Sequence, residues 1–431
     1  MKHLKLITVL LALLLAAMAM VPMVSAADEP YNQASGITSS EYLAVPDPGT
    51  IIDVKEAAAI AELNVHDLGT IAPDFSPWKD ASVQVSKTYY DLNDQVTAYA
   101  FDVDVDGKNN GYILISATTR NYPVLEATTG NVPGSSDSAT WESGQAIRKY
   151  AIEKGLTVTE SKPVYLGALS YYQKYSVVNK DGAAQNDIFV DEHTNKIAEF
   201  ATKSVTDKAT VDTVQYEKMQ VLKTADIKAQ WDKQRLLISE TPSTEHTALM
   251  TRIQATRSSN SVYGVPEFMQ DGFHNGCSPT SASMIVSYWS THGYPALPSD
   301  FDTLFTELAN QMGTGSSWPL DGSTWPWRIE SAIDRVFYSY TGLQPASNDF
   351  FPGWSGFVSE INSGKPFILS MHVGGTAVGN SQAYGEHTVA VVGYVTSINN
   401  FITIHDTWNE PGVHLLQDNN WDNIMTTWVR P

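Results

Sequence analysis

The stretch NGCSPTSASMIVSYWSTHG, residues 275–293, decides the fold of the carboxy-terminal part of this chain. It opens on an Asn-Gly pair, which marks a turn. Pro279 suits the first turn of a helix, where its missing N–H has no intrahelical partner in any case. The apolar residues that follow recur at helical spacing, and Gly293 ends the pattern. The stretch therefore predicts a helix that begins at Cys277 and buries one face.

Cys277 is the single cysteine of the 431-residue chain, so it cannot form an intramolecular disulfide. A thiol at the start of a helix lies at the positive end of the helix dipole, which favours the nucleophilic thiolate. A lone cysteine can also be a small hydrophobic core residue. The position at a helix start favours the interpretation of Cys277 as a nucleophile.

A thiolate nucleophile needs an imidazole partner, and His387 is the best candidate among the ten histidines. It opens the predicted strand HTVAVVGYV, and a turn at residues 396–400 leads to the strand FITIHD, which ends at Asp406. Because a hairpin returns the chain, we expect His387 and Asp406 at the same end of the sheet. An aspartate that accepts from one imidazole nitrogen leaves the other nitrogen facing the thiol. Any sheet can hold such a pair by chance, so its weight comes from the cysteine at the helix start.

Gln270 is a candidate for the third catalytic element, seven residues before Cys277. Acyl transfer develops negative charge on an oxygen, and hydrogen-bond donors placed at that oxygen stabilise the charge. A glutamine amide beside the backbone N–H of the nucleophile would supply two such donors. Gln270 taken alone could equally be a glutamine of a surface loop.

The order Gln270, Cys277, His387 and Asp406 resembles that of papain-like cysteine peptidases. Three segments are similar to the bacteriocin-processing (double-glycine-leader) peptidase family, namely VPEFMQDGFHNGCSPTSASMIVSYW, GKPFILSM and GEHTVAVVGY. The stretch around the cysteine is also similar to streptopain. The resemblance implies an α+β domain in which a helix bearing the cysteine packs on an antiparallel sheet bearing the histidine and the aspartate.

The amino terminus predicts export. A basic start with Lys2 and Lys5 precedes an apolar run that ends in Val-Ser-Ala, which predicts a signal peptide over residues 1–26. A retained membrane anchor is the alternative; after signal removal we expect no stable membrane insertion, and a secreted or cell-surface location. The net charge of -20 becomes -22 when the two lysines leave, which gives no electrostatic reason to bind nucleic acid.

The composition divides the rest of the chain into three parts. Residues 27–240 alternate strand and helix patterns and predict an α+β pro-region or accessory region, whereas residues 241–261 are polar and predict a linker. Residues 262–431, which hold eight of the eleven tryptophans, predict the papain-like domain. Within the first part, GYILISATTRNYPVLEATTG resembles the pro-region of streptopain-type peptidases, and IFVDEHTNKI resembles cystatin-like modules.

These resemblances imply a secreted cysteine endopeptidase that hydrolyses peptide bonds by a Cys-His-Asp mechanism. The substrate would be a peptide or protein, and the chain's own pro-region would act as an intramolecular inhibitor in an autoinhibited precursor. The same residues would serve an acyltransferase or amidase, and a catalytically inactive cell-surface binding module is the alternative outside enzymes. With neither an HExxH motif nor paired CxxC motifs, the sequence predicts no metal and no cofactor.

Overall fold

The computed structural model of the protein describes residues 49–135, 137–198, 213–239, 243–270, 276–314, 324, 326–350, 352–374, 383–408, 412–421 and 423–431. The predicted signal peptide, residues 1–26, lies outside these ranges. Within them the chain mixes helices with a large sheet, which confirms the predicted α+β class. Every helix in these ranges is too short or too polar to cross a membrane.

The helices fall in both halves of the chain. They are α1 Val54–Ile71, α2 Asp137–Lys154, α3 Thr213–Leu237, α4 Thr244–Thr256, α5 Cys277–Thr291, α6 Phe301–Met312, α7 Trp327–Thr341 and α8 Trp354–Asn362. A 3-10 helix, Pro73–Asp80, follows α1.

The strands all belong to one sheet. They are β1 Ser82–Tyr90, β2 Val96–Val105, β3 Lys108–Ser116, β4 Val124–Thr128, β5 Thr157–Tyr165, β6 Tyr171–Val178, β7 Ile188–Asp191, β8 Ile197–Ala198, β9 Ser258–Ser261, β10 Ala346–Phe350, β11 Phe367–Gly374, β12 Ala383–Thr396, β13 Asn400–His405, β14 His414–Gln417 and β15 Asn423–Val429.

Local sequence signals explain the elements of the amino-terminal region. Asp53 caps α1, because its side chain accepts a hydrogen bond from the N–H of Lys55. The helix continues to Ile71. Strands β2 and β3 form a hairpin joined by Asp106 and Gly107, which both have the positive φ angles of a two-residue hairpin turn.

In the carboxy-terminal domain, α5 packs on β12 and β11 of the antiparallel sheet, in which β12 also pairs with β13, as the sequence predicted. Nearly every residue of the helix is buried, and Met284, Ile285 and Val286 join one apolar cluster with side chains of all three strands. The Ser281 hydroxyl donates to the Thr388 carbonyl of β12 at 2.9 Å. This contact fixes the start of the helix against the start of the His387 strand.

The amino-terminal region and the carboxy-terminal domain share one continuous sheet. Strand β14 pairs with β13 on one side and with β4 of the amino-terminal region on the other, with Leu416 opposite Glu126. The backbones of the two regions approach closely beside this pairing. A Cβ added to Gly412, which has a φ of 141°, would lie 2.6 Å from the nitrogen of Gly130. This junction was not predicted from the sequence.

The segment predicted to be a linker, residues 241–261, is folded over most of its length. It contains α4, which begins at the cap Ser243 and buries Ile253, and strand β9, which pairs with β12. Arg257, between them, forms a partly buried ion pair with Asp67 of α1. The polar composition reflects a helix that is exposed on most sides, since polar residues suit a solvated helix face as well as a loop. The domain boundaries stay a prediction.

Candidate active site

Cys277 begins α5 and is half-buried. The His387 ring, the Thr388 backbone and the Ser278 side chain all lie near enough to its thiol to lower the thiol pKa. Burial alone would raise the pKa of the thiol, but His387, Thr388 and Ser278 together outweigh burial, and the net pKa lies below the ordinary value. The structure therefore brings together the two residues predicted as nucleophile and base.

His387 lies in β12, and its Nε2 is 2.7 Å from the main-chain oxygen of Asp406. A carbonyl oxygen only accepts, so Nε2 carries the hydrogen and the other ring nitrogen is left to face Cys277. The sequence predicted that Asp406 would orient this ring. The oxygen that does so here belongs to the backbone of Asp406 rather than to its carboxylate.

The Asp406 carboxylate is bound by a different histidine. Its Oδ1 accepts from the Trp408 N–H at 3.0 Å, and its Oδ2 lies 3.2 Å from Nδ1 of His414 in β14. Nε2 of His414 in turn lies 3.2 Å from Oε2 of Glu126 in β4. All three ionisable side chains are buried. The Asp406 carboxylate, which was predicted to bind His387, is thus bound to a second histidine, His414.

The charge on His414 follows from these contacts. Burial alone would lower its pKa, but the hydrogen bonds and charges of Asp406 and Glu126 outweigh burial and raise the pKa to about 10. Because this value lies above the ordinary 6.5, the protonated ring stabilises the fold fully below pH 6.5. That contribution is lost as the pH rises through about 10.

Trp408 connects the site to the amino-terminal region. Its ring stacks on His387 with centroids 4.0 Å apart, and its other face stacks on His193 at 3.8 Å. His193 lies in the turn after β7, outside the carboxy-terminal domain. Ala168 and Leu169, from the turn between β5 and β6, also join the apolar cluster of that domain. The amino-terminal region therefore lies one aromatic ring away from the predicted catalytic histidine.

Gln270 is held beside Asp406 through Thr407. The Gln270 N–H donates to the Thr407 carbonyl at 2.9 Å, and the Thr407 hydroxyl donates to Oε1 of Gln270 at 3.3 Å. Thr407 has a φ of 72°, which is uncommon for a β-branched residue and marks local strain next to the site. Residues 271–275, which join Gln270 to the helix of Cys277, lie outside the described ranges. The role of Gln270 as an oxyanion donor stays a prediction.

Cys277, His387, Asp406 and His414 all lie in the carboxy-terminal domain, and the sequence of this part of the chain matches a known family. Residues 262–430 match the Peptidase_C39 like family. The resemblance predicted from the motifs is thereby confirmed for this C39-like domain. No curated protein matches the chain.

Three solved structures are similar to the chain at low identity. A Bacillus anthracis protein described as a C39-like peptidase is 14% identical with a TM-score of 0.28, covering 40% of this chain and 98% of its own. A fragment of prointerpain A from Prevotella intermedia is 10% identical with a TM-score of 0.36, covering 80% and 98%. Xylellain, a cysteine protease from Xylella fastidiosa, is 13% identical with a TM-score of 0.26, covering 44% and 90%.

The sequence analysis missed His414 and Glu126, although each carried a signal. Strand β14 forms a hairpin with β13 in which His414 lies opposite Ile404. Side chains alternate along a strand, so this register puts His414 and Asp406 on one face. Recognition of HLLQ as a third strand would have predicted the contact. Glu126 stood out as a carboxylate inside the apolar strand VLEAT, where a charge needs a partner.

We expect the thiol of Cys277 to titrate below the ordinary thiol pKa of about 8.5. The reason is that His387, with the Thr388 backbone and the Ser278 side chain, lowers the pKa of the thiol more than burial raises it. The measurement is the rate of iodoacetamide alkylation from pH 5 to pH 10, followed by mass. In the His387→Ala variant only burial and the weaker donors remain, so the midpoint of the rate profile should move up. An unchanged midpoint in that variant would show that the histidine does not act on the thiol.

Proposed function

We propose that the protein is a secreted or cell-surface cysteine endopeptidase in which Cys277 attacks the carbonyl of a peptide bond. The observation that carries the proposal is the contact between the Cys277 thiol and the His387 ring at the start of α5. This contact lies inside the segment that matches the Peptidase_C39 like family. Cys277 as a residue is half-buried.

The reaction has two steps. His387 takes the thiol proton, the thiolate adds to the carbonyl carbon, and His387 returns the proton to the leaving amine as an acyl-enzyme forms. Water, activated by the same ring, then hydrolyses the thioester and restores the thiol. The Cys277 N–H at the helix start and the Gln270 amide are the proposed donors to the oxyanion. Thr407 occupies Oε1 of Gln270, so the amide nitrogen is the end of that side chain that donates.

Residues 27–240 act, in this proposal, as a pro-region that inhibits the chain's own active site. Three contacts support it: the pairing of β4 with β14, the stack of His193 on Trp408, and the insertion of Leu169 into the cluster of the C39-like domain. Together they hold the amino-terminal region against the C39-like domain, with His193 one aromatic ring away from His387. The proposed maturation cut lies within residues 241–261.

The test is hydrolysis of a peptide library, with products identified by mass spectrometry. The protein is used both intact and after proteolytic cutting between α3 and α4, with and without an epoxide inhibitor of cysteine peptidases. We expect inhibitor-sensitive products that carry new carboxyl termini. If adducts to an added amine replace these products, the chain is an acyltransferase. If no product forms although the inhibitor labels Cys277, the peptidase proposal is wrong.

A further inference from the structure

Glu126 occupies a carboxylate pocket that the amino-terminal region builds around it. The side chain is fully buried in β4. Oε1 accepts from the Tyr165 hydroxyl at 3.0 Å and from the Leu169 N–H at 2.9 Å, and Oε2 accepts from the Tyr171 hydroxyl at 2.6 Å. Three donors suit an ionised carboxylate, which has room for one more. The fourth donor is His414, and it is the only one that comes from the C39-like domain among these contacts.

His414 stands between two buried carboxylates, Glu126 on one nitrogen and Asp406 on the other. Carboxylates only accept, so a ring that binds one at each nitrogen carries both hydrogens and a positive charge. Three more titratable groups bear on this cluster: the mostly exposed Glu267, whose charge acts on His414, and His193 and His405, which both interact with the charge of Asp406. The imidazolium is therefore held by both regions of the chain at once.

This arrangement weakens the stabilisation of the protonated form of His387. A carboxylate facing an imidazole stabilises the imidazolium that forms when the thiol gives up its proton, and a neutral carbonyl does so less. Among the contacts of the described residues, the oxygen of Asp406 that faces His387 is the main-chain one, whereas the carboxylate of the same residue is bound to His414.

We propose that His414 is a positioning residue that couples the amino-terminal region to the catalytic residues: while Glu126 holds it, it keeps the Asp406 carboxylate away from His387. This inference rests on the proposed function and adds the contact through which the pro-region would act. When β4 leaves β14, Glu126 leaves with its pocket. His414 then loses one of its two carboxylates and meets water, so its hold on Asp406 weakens and the carboxylate is free to turn to His387.

The test uses the uncut full-length chain and the alkylation rate of Cys277 by iodoacetamide. Because Cys277 is the single cysteine, the added mass reports that thiol alone. Glu126→Gln removes the charge that holds His414, and His414→Gln removes the competing cation. The matched control is Asp67→Asn, which also replaces a buried carboxylate by an amide at the junction of the two regions. Asp67 pairs with Arg257 and accepts from the Ile398 N–H at 3.1 Å, without contact to His414.

We expect both Gln variants to raise the alkylation rate at pH 6 by about tenfold, the effect of one charge-assisted hydrogen bond gained by His387. The pH profile should move to lower pH, and the double variant should gain no more than either single one, because both act on the same contact. Asp67→Asn should keep the original profile.

Rates and profiles unchanged in folded Glu126→Gln and His414→Gln chains would overturn the inference. An equal rise in Asp67→Asn would overturn it too, since general loosening would then explain the effect. Thermal unfolding shows whether each variant is folded. If Glu126→Gln does not fold, the result for His414→Gln alone decides the test. The readout needs no peptide hydrolysis, so the proposed function can fail in the library assay while this result stands, and the reverse also holds.

Discussion

Replacing Cys277 with alanine is expected to abolish peptide hydrolysis and leave the fold intact. The nucleophile is the one group that no other side chain can replace, since the chain has a single thiol. Loss of a nucleophile in comparable hydrolases lowers kcat by on the order of 10⁶. The substitution removes one sulfur atom from a half-buried position and adds no polar group, so the free energy of unfolding should change little.

The measurement is kcat/KM on the best library peptide, with protein purified free of other peptidases. Ser283→Ala is the matched control, because its buried hydroxyl lies on the same helix and donates only to the Pro279 carbonyl at 2.7 Å among the contacts described. That variant should keep most of the activity. A Cys277→Ala protein that still hydrolysed the peptide at a comparable rate would refute the thiol mechanism.

Separation of the amino-terminal region is expected to raise peptidase activity by about tenfold or more. A tethered domain has an effective concentration in the millimolar range, so a contact with a Kd of about 100 µM already leaves only about one chain in ten uninhibited. Cutting the chain alone should raise activity less than separation does. The reason is that β4 stays paired with β14, and Glu126 stays bound to His414, until the two pieces come apart.

The experiment places a site for a specific protease between α3 and α4, and compares intact, cut, and cut-then-separated protein. The chain without the inserted site, treated with the same protease, is the control. Equal specific activity of the intact chain and the separated domain would contradict autoinhibition and leave the assignment of Cys277 untouched. If maturation is self-catalysed, the Cys277→Ala chain should also remain uncut during expression.

The elements predicted from sequence are those that local signals specify. The helix of Cys277 follows from a turn pair, a proline and helical spacing, and α5 begins at the predicted residue. The hairpin that brings His387 near Asp406 follows from alternation and a short turn, and β12 and β13 pair as predicted. In both cases the deciding residues are close together in the chain.

Features that depend on residues far apart in the chain could not be predicted from the sequence. The pairing of β4 with β14 joins segments almost 290 residues apart, as the separation of 288 between Glu126 and His414 records. Strand alternation does not say which edges meet. Which oxygen of Asp406 faces His387 could not be predicted either, because it depends on the competing His414, which comes close only in the folded chain. Residues 241–261 were predicted to be a linker but contain α4 and β9. The polar composition did not distinguish the two cases, because exposed helices and loops have similar compositions.

The continuous sheet has a further consequence for the enzyme after its amino-terminal region has gone. Strand β14 would then become an edge strand with unpaired N–H and C=O groups. This strand carries the apolar side chains of Leu415 and Leu416. Such an edge accepts any extended chain, including that of a second molecule. The liberated domain should therefore be prone to self-association as its concentration rises. The region proposed to inhibit the enzyme would in that case also keep it monodisperse.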